Sequence, residues 1–219
     1  MRMGEDQLKF ILRKVNNNIM DSYPLFSKLV GVARLNLSSE KLKEAQTLVK
    51  EYKFKDANFD ATYASISKHV LEDRALNFLA RAIDTQFQIY TRDLMKYLNS
   101  FKMTTSWITY VKPGAGSHEH NHNNSMISGV AFIECPAKCG NITFHNKNTG
   151  LFELPHDTIN LWNAVSYSFE PQANTILFFP SSVYHKVNEN KSNQGRYSIA
   201  FNYLPIGEAG SADSKVMLT

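Results

Sequence analysis

From residue 104 onward the chain becomes a succession of short segments rich in aromatic and β-branched residues. They are "TTSWITYV" (104–111), "SMISGVAFIE" (125–134), "NITF" (141–144), "TILFF" (175–179), "YHKV" (184–187) and "RYSIAFNYL" (196–204). Turn formers separate them: Pro113-Gly114, Cys139-Gly140, Asn148-Thr149-Gly150 and Pro171 to Asn174. Valine, isoleucine, threonine and the aromatics fit a pleated surface, while glycine, proline and asparagine interrupt it. Many short strands at this spacing predict an antiparallel barrel or jelly roll. Ahead of residue 100 the period changes. Leu8, Ile11, Leu12, Val15 and Ile19 recur at helical spacing. "KLVGVARLNL" (28–37) predicts a strand, and Ser38 or Ser39 an N-cap for a helix that carries Leu42, Ala45, Val49 and Tyr52 on one face. Asp73 is placed to cap a longer helix with Leu76, Leu79, Ile83, Tyr90, Leu94 and Tyr97. The expected class is α+β: a jelly-roll core with N-terminal helices packed on one sheet. The expected organisation is one domain over 1–219, with a helix-rich part (1–100), a barrel core (101–205) and a tail (206–219).

Composition removes several function classes. The net charge of +4 is spread along 219 residues without a lysine or arginine block. A nucleic-acid partner is therefore not expected, because such binding concentrates positive charge on one stripe. Two cysteines, Cys135 and Cys139, do not make a disulfide framework, and free thiols are expected. No apolar run reaches the length of a membrane span, and no signal peptide opens the chain, so a cytoplasmic protein is expected.

Chemistry enters with "GSHEHNHNNSMISGV" (116–130). On an extended segment alternate side chains share a face, so His118, His120 and His122 can converge. Two histidines at i and i+2 can reach one metal ion through neutral imidazoles. The histidines alone leave a solvated polar loop open as the other reading. Downstream, "FFPSSVYHKV" places His185 after an apolar strand, and eleven residues later "RYSIAFN" places Arg196 and Ser198 at i, i+2. A guanidinium fork with a neighbouring hydroxyl suits a carboxylate. Asn202 shares their alternation. Phe132, Phe144, Phe179 and Phe201 are candidates for an apolar wall around such a site, and His145 for a place near its mouth. His69 and His156 are expected to be ordinary surface or core histidines.

The order His-x-His, distal His, Arg-x-Ser resembles the Fe(II)/2-oxoglutarate-dependent oxygenase superfamily, and most closely a subfamily of such oxygenases found in bacteria and phages. The pattern is carried by Trp107, Gly114, His120, His122, Ser128-Gly129-Val130, Phe179-Pro180, His185 and Val187. The resemblance implies a double-stranded β-helix (cupin-like) core, and a dioxygenase, in the first instance a hydroxylase, using Fe(II), 2-oxoglutarate and O2. It implies His120, His122 and His185 as metal ligands, with His118 a spare. It implies Arg196 and Ser198 as the clamp for the co-substrate's distal carboxylate. Tyr110 stands at a spacing similar to a 2-oxoglutarate-binding tyrosine of hypoxia-sensing prolyl hydroxylases. The second ligand of this superfamily is usually a carboxylate, and here His122 stands there. A phage-encoded enzyme acting in a host cytoplasm would fit the subfamily. The primary substrate is not named by any residue, with peptidyl or prolyl hydroxylation somewhat favoured; a monomer or homodimer is expected. Two other readings are a non-catalytic metal-binding barrel and a three-histidine cupin dioxygenase that does not use 2-oxoglutarate. Neither would need Arg196-x-Ser198, and no acid follows His122 before Glu134.

Overall fold

The computed structural model describes residues 13–15, 18–20, 26–59, 62–147, 154–160 and 163–219. A hairpin, β1 (Arg13–Val15) with β2 (Asn18–Met20), comes first. It replaces the helix expected from the Leu8–Ile19 spacing: Val15 and Ile19 are β-branched and stiff at χ1, which suits a strand. Leu8, Ile11 and Leu12 lie outside the described residues. Then follow β3 (Gly31–Arg34), α1 (Ser39–Glu51), β4 (Phe54–Phe59) and β5 (Thr62–Ser65). Two 3-10 turns lead into α2 (Asn77–Gln88), which continues as a π-helical turn over Ile89–Leu94. The barrel strands are β6 (Ser100–Val111), β7 (Ile127–Glu134), β8 (Ile142–His145), β9 (Ser166–Phe169), β10 (Thr175–Pro180), β11 (Tyr184–Val187) and β12 (Arg196–Ala209). Last comes β13 (Val216–Leu218), which pairs with Gly207–Ala209. The segment expected to be a tail is thus half strand.

The major sheet runs β3-β10-β7-β12-β6-β5-β4, and the minor sheet β11-β8-β9 faces it. All these pairings are antiparallel. Together they form a double-stranded β-helix with the two helices packed on the outside of the major sheet. The β4–β5 hairpin and β9 were not expected; their short, polar-interrupted sequences carry a weak strand signal.

Two apolar clusters lie on opposite faces of the major sheet. The outer one joins Ile108, Ala131, Ile133, Ile176, Phe178, Ile199, Phe201 and Tyr203 to Ala45 and Val49 of α1 and to Leu79, Ile83 and Phe87 of α2. The inner one holds Val130, Phe132, Leu177 and Phe179, with Ile142, Phe144 and Val183 from the opposite side. β7 is buried on both faces, which is why its sequence is almost continuously apolar rather than alternating. α1 forms where expected, and α2 with its π-helical turn starts where expected but ends at Leu94, short of Tyr97. Ser38 Oγ accepts the Lys41 N–H at 3.2 Å, and Asp73 caps the turn that opens onto α2. Phe87 stacks on Tyr203 with ring centroids 3.7 Å apart, locking α2 to β12. Burial of each such ring stabilises the fold by about 1.5–3 kcal/mol. Gly129 is required by this packing, because a Cβ there would collide with the ring of Phe201 and the carbonyl of Leu177.

Candidate metal and co-substrate site

The segment after the β6–β7 turn runs alongside β11. His120 and His185 form an antiparallel bridge, with the His120 N–H donating to the His185 carbonyl at 2.9 Å and the reverse bond at 2.8 Å. The His122 N–H donates to the Ser181 carbonyl at 2.9 Å. These backbone bonds fix three imidazoles on one side of the extended segment. One ligand atom from each of His120, His122 and His185 lies within 4.8 Å of the others, a spacing one metal ion can span. Ring centroids of His120 and His122 are 4.5 and 5.1 Å from that of His185.

Two of the rings are oriented by backbone. The Nδ1–H of His120 donates to the His118 carbonyl at 3.0 Å, and that of His185 to the Val183 carbonyl at 3.1 Å. With Nδ1 protonated, each Nε2 lone pair is left for a ligand, the usual arrangement around ligating histidines. His118 therefore contributes its carbonyl; its imidazole is exposed, 5.5 Å from the His120 ring. Burial, reinforced by the neighbouring imidazole, pushes His122 down to about 4 and His185 to about 3, and burial also lowers His120. All three are neutral across the physiological range, the form that binds a metal. Phe144 and Phe179 lie against His185, and Trp107 lies 5.8 Å from His122.

On β12, Arg196 is 1 % exposed and points into the barrel. One Nη1–H donates to the Gly140 carbonyl at 2.9 Å, the guanidinium carbon sits 5.0 Å over the Phe132 ring, and Nε is buried without a hydrogen-bond partner. Desolvation pushes its pKa down, yet a guanidinium stays charged. A buried cation without a carboxylate is costly unless an anion completes the site. Ser198, also 1 % exposed, shares a 2.7 Å hydrogen bond with Thr109 Oγ1 on the paired strand. Asn202 faces the same interior: Ser128 Oγ donates to its Oδ1 at 2.7 Å, and its Nδ2–H donates to Thr105 Oγ1 at 3.0 Å. Cys135 and Cys139 are free thiols, hydrogen-bonded to each other beside Arg196.

Tyr110 does not join this group. It pairs with Tyr197, the two rings stack at 4.6 Å, and Tyr110 covers Gly195 on the helix side of the sheet. One residue of strand register reverses a side chain's face, and Tyr110 is one residue away from the inward Thr109. Phe201 is likewise outward, in the helix-packed cluster, whereas Phe132, Phe144 and Phe179 do line the interior. His145 points with Tyr184 to the outer face of the minor sheet, where its Nδ1 lies 3.4 Å from Glu119. Sequence reasoning missed Thr109, Thr105 and the carbonyls of Gly140, His118 and Val183. Alternation from Trp107 marks Thr105 and Thr109; nothing in the sequence marks a carbonyl.

The residues present fit a metal with an anionic co-substrate: neutral nitrogen donors on one side, and on the other a buried guanidinium that has no carboxylate partner among the described residues, with a hydroxyl beside it. Residues 105–202 match a family model described as "Putative 2OG-Fe(II) oxygenase". No curated protein matches the chain. Among solved structures it is similar to HygX from Streptomyces hygroscopicus with nickel, 2-oxoglutarate and hygromycin B bound: TM-score 0.61, 11% identity, 80% of this chain and 82% of that one covered. It is similar to a Pseudomonas putida prolyl-4-hydroxylase at TM-score 0.55 and 15% identity, over 79% and 91% of the two chains. An oxidoreductase of the 2OG-Fe(II) oxygenase family from Burkholderia pseudomallei gives TM-score 0.59 at 12% identity, over 80% and 83%. A sequence match to the 2OG-Fe(II) oxygenase family model across the barrel strands, a double-stranded β-helix like those of the solved structures, and a histidine triad facing its interior agree with one another.

Proposed function

We propose that this chain is a Fe(II)- and 2-oxoglutarate-dependent hydroxylase. The observation that carries the reading is the pairing, in one barrel, of three neutral imidazoles able to share a metal with a buried guanidinium that has no anion of its own. His120, His122 and His185 would hold Fe(II). Arg196 and Ser198, with Thr109 behind the serine, would hold the distal carboxylate of 2-oxoglutarate. When bound, the metal and co-substrate supply the oxidising chemistry; overall, R–H, O2 and 2-oxoglutarate give R–OH, succinate and carbon dioxide.

The chain's own residues orient and exclude. The two Nδ1–H bonds to backbone carbonyls fix which nitrogen faces the metal. Gly140 fixes the guanidinium, so the carboxylate is met by a preset fork. Phe132, Phe144 and Phe179 keep water from the interior. Nickel and 2-oxoglutarate in HygX, and the prolyl-4-hydroxylase among the similar structures, support both the cofactors and a hydroxylation outcome. A peptidyl or prolyl target is the favoured substrate.

The test is anaerobic titration of the purified protein with Fe(II) and then 2-oxoglutarate, followed by succinate formation on admitting O2. Binding of both and release of succinate are expected. Metal binding without 2-oxoglutarate binding would instead make this a non-catalytic metal-binding barrel.

A further inference from the structure

Among the described residues of the barrel strands, the charge facing the interior is of one sign. Strands β6 to β12 contain two acids, Glu134 and Glu208, and both turn away from the interior to lysines: Lys50 at 2.6 Å and Lys215 at 2.7 Å. Among the described residues, no carboxylate on these strands faces the histidine triad. A divalent metal on three neutral imidazoles contributes two positive charges and Arg196 a third. A doubly anionic 2-oxo acid cancels two. One positive charge is left inside a water-poor barrel, where the usual 2-His-1-carboxylate set would leave none.

A second cation stands on the same side as His122. Lys68 Nζ lies 5.9 Å above the Trp107 ring, and that ring is 5.8 Å from the His122 ring. Lys68 is tied to the Ser65 carbonyl at 3.0 Å, so its ammonium is held there rather than swinging free. Burial and the nearby Lys55 push its pKa down, a tension an approaching anion would relieve. Trp107 itself is only half-buried, so this rim is reachable.

We infer that the primary substrate is an anion whose carboxylate sits on the Trp107–Lys68 side of the histidine cluster. The inference rests on the proposed function, because it counts the charge of the loaded site. A substrate carboxylate supplies the negative charge that His122 does not. The thiols beside Arg196 lie at the co-substrate end, so they bear on 2-oxoglutarate rather than on the substrate.

The experiment uses the full chain loaded with cobalt(II) and saturated with 2-oxoglutarate. Acetate and acetamide, of the same shape but one anionic and the other neutral, are titrated while the visible ligand-field spectrum is followed. Acetate should bind more tightly by roughly tenfold or more, as one unit charge a few ångströms away predicts. His122→Asp should erase that preference, and Lys68→Met, which keeps the side-chain stem, should reduce it several-fold. Equal binding of the two probes to the wild type, or a preference unchanged in both variants, overturns the inference and leaves the proposed function standing. Failure of cobalt or 2-oxoglutarate to bind in the first step overturns both.

Discussion

The two faces of β12 were built by one alternating sequence under opposite physical demands. Outward, Tyr197, Ile199, Phe201 and Tyr203 meet the helices and gain stability from burial. Inward, Arg196, Ser198 and Asn202 are held in polar contacts inside a barrel. The outer face returns free energy to the fold. The inner face spends it, because a buried guanidinium without an anion lowers stability until a ligand arrives. The difference teaches where to look for function: on a strand buried on both sides, the face that costs stability is the one kept for binding.

That contrast can be broken at several points. The largest effect on stability is expected from Phe201→Ala, which opens a cavity beneath α2 and beside Gly129. It should cost about 3–5 kcal/mol in denaturant unfolding while leaving 2-oxoglutarate affinity, measured on the folded protein, nearly unchanged. Arg196→Ala should do the reverse. The apparent KM for 2-oxoglutarate should rise roughly 100-fold or more, with metal affinity retained and the stability of the ligand-free protein little altered. If Arg196→Ala instead unfolds the protein, the inner face is structural and the comparison fails.

A pH titration of the metal-free protein sharpens the picture. The folded pKa values of His122 and His185 lie well below that of an unfolded histidine. The unfolded chain therefore binds protons that the fold refuses. Stability should be fully present above about pH 6.5 and fall progressively as pH drops toward 4. Thermal unfolding monitored between pH 8 and 4 would show it, and a flat profile would mean these imidazoles are not held neutral. A smaller effect is expected from Thr109→Val, which removes the partner of Ser198 and should raise the KM for 2-oxoglutarate only a few-fold. The smallest is Tyr110→Phe: with the ring on the helix side of the sheet, KM should move less than about twofold.

Much of this molecule was legible before any coordinates. The barrel strands, the cap at Ser38 and the free thiols follow from residue type and spacing, and the grouping of His120, His122 and His185 from the family resemblance. Where the reading failed, it failed by one residue of register or by a weak signal. Tyr110 and Phe201 are both aromatic strand residues, and an aromatic is equally at home on either face of a sheet with two cores. His145 lies on the outer face of the minor sheet for the same reason. The β4–β5 hairpin carries too few apolar residues to stand out, and Val15 and Ile19 satisfied a helical spacing that two short strands satisfied as well.

The sequence by itself determined the set of chemical groups: three histidines, an arginine with a serine two residues on, and a histidine where a carboxylate is usual. It also determined which segments alternate. Only the tertiary structure decided which face of each strand became interior, because that depends on the neighbour packed against it. It also decided that Arg196 would be buried without an anion, that backbone carbonyls of His118 and Val183 would orient the rings, and that the acids of the barrel strands would point away. Backbone groups are the same in every residue, and charge balance is a sum over elements far apart in the chain; neither is written at any single position.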